Sequence, residues 1–484
     1  MLKKLANKYK NMSLPLRAGL WFFVCNLLQK GISVITTPIF TRLLSTSEYG
    51  VFNIYISWRD ILAIFITFGL SSSVYQKKLV ELDSDGERKV LTSTLQGLAT
   101  TTAFASFAIY LLLHRWLNQL FALPTQYVIA IYISVLMTTA FDFWAMKKRV
   151  EYSYKSLVAM TAIVIVLKPL LSIITISLFP GNKIDARIYT ILAVEIAAYL
   201  VLYIKHFAQG RTFYHKSNWK YAMIYVLPLI PHYLSQRVLS QSDKIMINAM
   251  SGSSQAGIYS LAHSVGWMMT LVVSACDSVM APWVYQKIKA RDSSRIRKMM
   301  VYPLVGMAFA CIAFISIAPE AVRIFAPIEY HEAIWVLPPF IISTYLMLLY
   351  SFFIYFEYYY EKTKYIMIAT MASAGLNIIL NYVFIKLFGY IAAGYTTLTC
   401  YMFYTFAHYK VYSKICKEKF NVSSVYNMKA VLTISSILLV VGLGITALYN
   451  LPIIRYTMIL AMVIVAILRR KEIVSLFKTF KESE

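Results

Sequence analysis

Charge is scarce in this sequence. Only 14% of its 484 residues are charged, where a soluble domain of this size carries about 25%. Acidic residues are the scarcest, with 22 Asp and Glu against 47 Lys and Arg. Cysteine is confined to Cys25, Cys276, Cys311, Cys400 and Cys416, with no C-x-x-C spacing, so neither a disulfide framework nor a metal site is implied. No G-x-x-x-x-G-K-[ST] run occurs, which excludes ATP hydrolysis through a P-loop. No nucleophile elbow or metal-ligand cluster is present, and every segment between apolar runs is short. No catalytic residue, metal or cofactor is expected, and the chain reads as a non-enzyme. The basic N-terminus MLKKLANKYK lacks an A-x-A-like site, so no cleaved signal peptide is expected.

Apolar runs fill the space that charge leaves. The chain is 59% hydrophobic with a mean hydropathy of +0.61, and runs of about 20 residues, long enough to cross a bilayer, recur throughout. They are continuous rather than alternating, which excludes a transmembrane barrel. About fourteen spans are expected, at 18–40, 50–73, 91–113, 125–145, 156–179, 188–207, 221–241, 256–284, 299–318, 333–357, 364–386, 390–410, 429–449 and 453–468. Basic residues in alternate intervening loops split 35 to 8. The richer set includes both termini, so both termini are expected in the cytoplasm. The same asymmetry accounts for the net charge of +25 without a nucleic-acid partner. This is an all-α polytopic membrane protein.

A weak internal repeat is visible. GVFNIYIS at 50–57 can be laid on GIYSLAHS at 257–264, and both spans run on to V-Y-Q-K, at Val74–Lys77 and Val284–Lys287. Each half would be six spans in one orientation, related by a pseudo-two-fold along the membrane normal. The expected organisation is an N-terminal lobe at 1–207, a cytoplasmic linker at 208–220 and a C-terminal lobe at 221–410. A last segment at 411–484 holds two additional helices and a cytoplasmic tail.

Four cations, Lys30, Arg59, Lys168 and Arg237, fall inside spans. A cation at bilayer depth is costly and faces a partner or a hydrated cavity, so four in one bundle indicate an interior that receives an anion. A structural ion pair is an equally good reading for any single one. Arg59 and Asp60 adjoin and so do not face each other on a helix. Lys168 precedes Pro169, at an expected kink. Asp60 and Asp277, equivalent under the repeat, are candidates to bind a coupling H⁺ or Na⁺ or to serve as counter-ions. Asp142 and Glu357 read as interfacial, and Glu195 completes the intramembrane acids. Pro228 and Pro231 mark an expected bend. Tyr358, Tyr359 and Tyr360 read as an interfacial belt, and His206 and His263 as structural or interfacial.

Three stretches carry a resemblance to a known family. These are TPIFTRLLSTSEYGVFNIY (37–55), SDKIMINAMSGSSQAGIYSLA (242–262), and the layout of fourteen spans with a basic loop after every second one. The chain resembles the polysaccharide-transport branch of the multidrug/oligosaccharidyl-lipid/polysaccharide exporter superfamily, which includes the Wzx-type flippases. The resemblance implies a MATE-like fold of two six-helix lobes around a central cavity that alternates between leaflets. It implies an undecaprenyl-diphosphate-linked oligosaccharide (O-antigen, capsule or exopolysaccharide) as substrate, in the bacterial inner membrane. Membrane lipids, a polysaccharide polymerase and a chain-length regulator are implied partners. Related peptidoglycan-precursor flippases carry cavity cations in helices 1 and 2, comparable to Lys30 and Arg59. On this reading the four cations meet the diphosphate. Asn26, Gln29, Gln236, Gln241, Asn377 and Asn381 offer donors and acceptors to sugar hydroxyls, interhelical bonding being the equal alternative. A small-molecule exporter of the same superfamily and a non-transporting scaffold of a glycan-assembly complex remain open.

Overall fold

The computed structural model describes residues 12–71 and 74–468, exclusive of the side chains of Asn26, Lys30, Val463, Val465, Ala466 and Ile467. Every regular element among them is helical, and the chain divides into two compact units, 1–257 and 258–484.

The first unit begins with α1 (Leu14–Leu43), α2 (Thr46–Thr67), α3 (Val74–Glu81), α4 (Asp85–Phe121) and α5 (Thr125–Val150). It continues through α6 (Tyr154–Leu178), α7 (Lys183–Gly210), α8 (Lys216–Val226), α9 (Ile230–Ser251) and the first turn of α10 (Ser253–Gly266). Local chemistry sets several boundaries. Ser45 opens α2 with a capping box, in which its hydroxyl accepts from the Glu48 N–H and its own N–H donates to the Glu48 carboxylate. This satisfies two otherwise orphaned donors. Pro228 lies in a 3-10 turn, Leu227–Leu229, that joins α8 to α9, which is the expected bend. The core beneath α8 is formed by Leu70, Tyr75, Leu91, Leu95, Phe143, Ala222 and Val226.

The second unit contains the rest of α10, then α11 (Thr270–Lys289), α12 (Ser293–Met299), α13 (Val301–Ser316) and α14 (Ala318–Phe325). After these come α15 (Ala333–Tyr359), α16 (Thr363–Phe388), α17 (Ala392–Phe420), α18 (Met428–Thr446) and α19 (Pro452–Leu468). Helix α15 is its axis, buried along most of its length and packed by α11, α13, α17 and α18. Phe352, Phe353, Phe356, Tyr412 and Tyr426 close one end of this core, where the Tyr426 hydroxyl donates to the Phe352 carbonyl at 2.8 Å.

The compact units divide at Gly257, and the segment 216–251 packs on α2 and α4 through α9 and α8.

Among the described residues, eleven helical stretches are long and apolar enough to cross a membrane, α10 with α11 and α12 with α13 each counting as one. The other three expected spans coincide with helices that miss that standard for separate reasons. The 221–241 segment is broken by the 3-10 turn and carries a polar α9. The 390–410 span lies in α17, which is rich in polar side chains, and α19 is only 17 residues long. Large apolar side chains such as Leu112, Val440 and Ile453 stand outward, as lipid-facing surfaces do. This is a multi-pass membrane protein.

Three basic residues counted as loop residues are buried in helices instead: Arg187 in α7, Lys244 in α9 and Arg455 in α19. Arg187 lies 3.7 Å from the Phe40 ring centre and 3.6 Å from that of Phe52, so aromatic faces compensate part of its burial.

Candidate functional site

Helix α2 places two polar faces toward different neighbours. Ser57 and Asp60 look to α9, and Arg59 looks to α6 and α7. The second direction leads to Glu195, which is fully buried on α7. Its carboxylate accepts from the Ser134 hydroxyl of α5 at 2.5 Å, from Lys168 Nζ at 2.6 Å and from Arg59 Nη1 at 3.5 Å. Two cations therefore converge on one carboxylate. Both cationic side chains keep a quarter of their surface open. The Lys168–Glu195 contact follows from the hairpin of α6 and α7, which brings residues about equally far from the turn to one depth.

Toward α9, the residues Arg237, Gln241 and Lys244 recur at helical spacing on one face. The Gln241 amide donates to Asp60 at 3.2 Å and accepts from the Ser57 hydroxyl at 3.0 Å. Lys244 Nζ donates to the same Gln241 oxygen at 3.2 Å. Arg237 reaches Asp60 only at 3.9 Å and is 54% exposed. Across both faces the cations Arg59, Lys168, Arg237 and Lys244 stand beside Glu195, Asp60 and the buried Asp243. The balance is one positive charge, in partly dry surroundings that strengthen its field.

The remaining expected residues are not all brought here. The side chains of Lys30 and Asn26 lie outside the described residues. Gln29 is exposed on α1, and Gln236 pairs with His232 along α9 at 3.3 Å. Asn377 and Asn381 are buried in the second unit, where they bond to each other at 3.2 Å and Asn381 accepts from Thr396. The Thr396–Asn381 bond joins α17 to α16, which is the interhelical bonding that the sequence left as the equal alternative. Asp277 also lies in the second unit and accepts from Ser351 at 2.8 Å and Tyr355 at 2.5 Å.

Glu357, near a helix end, is fully enclosed by protein, with His408 Nδ1 at 2.7 Å. Tyr358 and Tyr359 are exposed, as a belt requires. His206 is buried beside Gln96 at 3.4 Å, and His263 stacks on Trp267. Sequence reasoning gave no role to Glu195, Ser134, Ser57, Lys244 or His408. Only Glu195 carried a signal, as an intramembrane acid opposite Lys168 in the next helix.

The fold is shared with transporters. It matches the structure described as "Lipid II flippase MurJ, inward closed conformation" with a TM-score of 0.70 at 13% identity, covering 94% of this chain and 99% of that one. An inward-facing multidrug resistance MATE family transporter of the MOP superfamily matches with a TM-score of 0.58 at 12% identity, covering 80% and 96%. The architecture is that of the MOP superfamily. Residues 16–288 match the family described as polysaccharide biosynthesis protein, which is more than half of the chain. The chain belongs to the polysaccharide biosynthesis protein family. An "Uncharacterized membrane protein" of Haemophilus influenzae is 21% identical over 363 residues, 73% of this chain and 86% of that protein.

Proposed function

We propose that this protein is a flippase for an undecaprenyl-diphosphate-linked oligosaccharide, moving it from the cytoplasmic to the outer leaflet of the bacterial inner membrane by alternating access. The observation that carries this reading is the convergence of Arg59 and Lys168 on the single carboxylate of Glu195. One positive charge is left over at a place where a bare charge is expensive, and an anionic group satisfies it. A diphosphate takes charge-assisted hydrogen bonds from Arg and Lys. Arg237, exposed beside Asp60, supplies a further contact on the face of α2 that looks to α9. The polyprenyl tail stays in lipid while the polar head passes the cationic stretch.

Both termini are cytoplasmic on this reading, the segment 208–220 is a cytoplasmic linker, and movement is coupled to H⁺ or Na⁺. A polymerase and a chain-length regulator receive the product. Which glycan is carried rests on the sugars that meet the uncharged side chains, and O-antigen, capsule and exopolysaccharide units share the diphosphate argued for here.

The test is a deletion strain in which lipid-linked repeat units are quantified by leaflet. A complete unit trapped on the cytoplasmic leaflet, released by the wild-type gene but not by Arg237→Ala or Lys30→Ala, supports the reading. Wild-type release by both variants removes the cationic assignment. Normal surface glycan in the deletion strain, with no second flippase gene, removes the flippase reading itself.

A further inference from the structure

Within the second unit, Glu357 of α15 and His408 of α17 are both completely buried, with Glu357 Oε1 2.7 Å from His408 Nδ1. Their other polar atoms, Glu357 Oε2 and His408 Nε2, are buried without a hydrogen-bond partner among the described residues. Aromatic rings enclose the pair. Tyr404 meets the imidazole edge-on at 4.4 Å, and Tyr350 stacks over it at 5.9 Å.

The charged and titratable groups facing this stretch are few. From α11, Asp277 is held by Ser351 and Tyr355 of α15, and Tyr285 lies against Tyr355 and Tyr359. From α16, Thr370 reaches the Tyr404 hydroxyl at 3.1 Å. Tyr426, preceding α18, packs on Phe356, and Tyr358 adjoins Glu357. Cys311 of α13 lies farther along α15, at Ile341. Among the described residues, no Lys or Arg forms an ion pair with Glu357.

We propose that Glu357 and His408 form a binding site for one exchangeable proton, and that release of this proton loosens α15 from α17. With one proton the pair sums to zero charge, and the proton sits between the carboxylate and Nδ1. Without it, a carboxylate is left among aromatic rings with no cation to pair, the state that a dry interior tolerates least. The enclosed packing therefore favours the protonated pair, and water must enter when the proton leaves. The proton is a ligand that either side of a membrane supplies, so a difference in its concentration between the two sides can drive the exchange. Resting on the transport reading above, this proton is the coupling ion, held by neither Asp60 nor Asp277.

The test uses the full-length protein in detergent and needs no substrate. Infrared difference spectra between about pH 5 and about pH 8 read the carboxylic-acid carbonyl and the imidazolium ring. Coupled titration predicts that Glu357→Gln and His408→Gln each abolish the same set of pH-dependent bands. Hydrogen exchange of the segments 350–360 and 404–412 supplies the conformational readout. After correction for intrinsic exchange, protection in the wild type falls about tenfold across the range, the equivalent of one pKa unit between the closed and loosened states. Glu357→Gln, which is neutral at every pH, stays protected. Bands that persist in either variant, or the same exchange step in Glu357→Gln, overturn the proposal. Such a failure leaves the flippase reading standing, and failure of the leaflet assay leaves these two results standing.

Discussion

Gly50 and Gly257 lie backbone to backbone where α2 meets the start of α10. A Cβ on Gly50 would sit 1.8 Å from the Ser253 carbonyl oxygen, and one on Gly257 would sit 2.0 Å from that of Thr46. The internal repeat pairs Gly50 with Gly257, Thr46 with Ser253 and Ser47 with Ser254. The hydrogen bonds run crosswise between these pairs, Thr46 to Ser254 at 2.7 Å and Ser47 to Ser253 at 2.6 Å. Exchange of partners in this way is what a local two-fold produces, so the weak sequence repeat has a structural counterpart at this point.

This close approach predicts a selective intolerance. Gly50→Ala and Gly257→Ala each force the two backbones apart and should cost about 1–3 kcal/mol or more by overpacking. Gly375→Ala is the control, since nothing lies within 4 Å of its added methyl. Thermal unfolding of the purified variants checks the difference, and equal midpoints for Gly50→Ala and Gly375→Ala would contradict it.

Glu195 is the hub of the cation cluster, so its removal should be worse than its replacement together with a partner. Glu195→Ala leaves Lys168 without its buried counter-charge, at a cost of about 3–5 kcal/mol. The pair Glu195→Leu with Lys168→Met should recover much of that loss, because a hydrophobic replacement of a buried pair is often neutral. A double-mutant cycle on unfolding midpoints measures the coupling, and strict additivity would show that the two residues act independently.

Arg455 fastens α19 to α14 by two bonds to Glu320, both at 2.6 Å, while Tyr456 donates to the same carboxylate. Burial pushes the Glu320 carboxyl up, but the bonds from Arg455 and Tyr456 outweigh it and hold the group below its usual range. A depressed folded-state value means the stabilisation is complete above the unfolded value, about 4.3, and is lost as pH falls through the folded one. Arg455→Met should cost about 1.5–3 kcal/mol near neutrality, and the gap to the wild type should narrow below about pH 4. Proteolysis of α19 followed against pH reports it, and a gap that is constant with pH would exclude the Glu320 contact as its source.

On the open face of α2, charge rather than shape is expected to govern activity. Arg237→Lys keeps the cation and should retain most glycan export, with some loss from the changed donor geometry. Arg237→Glu reverses the local balance and should reduce export at least about tenfold, a barrier change of roughly 1.4 kcal/mol. Surface glycan quantified in a complemented deletion strain distinguishes the two, and equal export by both would separate Arg237 from the substrate.

The helical architecture was legible because it rests on long apolar runs and on local signals, such as Pro228 at the bend before α9. Burial by distant helices was not legible along the chain, as Glu357 shows. That residue is close to a helix end, yet His408 and Tyr404, contributed by a helix some fifty residues later, seal it from water. The loop count places Lys244 and Arg455 between spans, but both are buried in helices, where Lys244 bonds to Gln241 and Arg455 to Glu320. Lys168 and Glu195 could be paired from the turn between adjacent helices. The arrival of Arg59 at the same carboxylate depends on how α2 docks, which no local pattern encodes.

Sharing of Glu195 has a consequence for any anion that reaches α2 and α6. The newcomer meets one net positive charge spread over two cations, each of which already shares a carboxylate. One cation can turn to the ligand while the other keeps the carboxylate, and the reverse exchange lets the ligand go. Capture and release then become exchanges of partner in which the buried carboxylate always keeps a cation, so neither step strands a charge of its own.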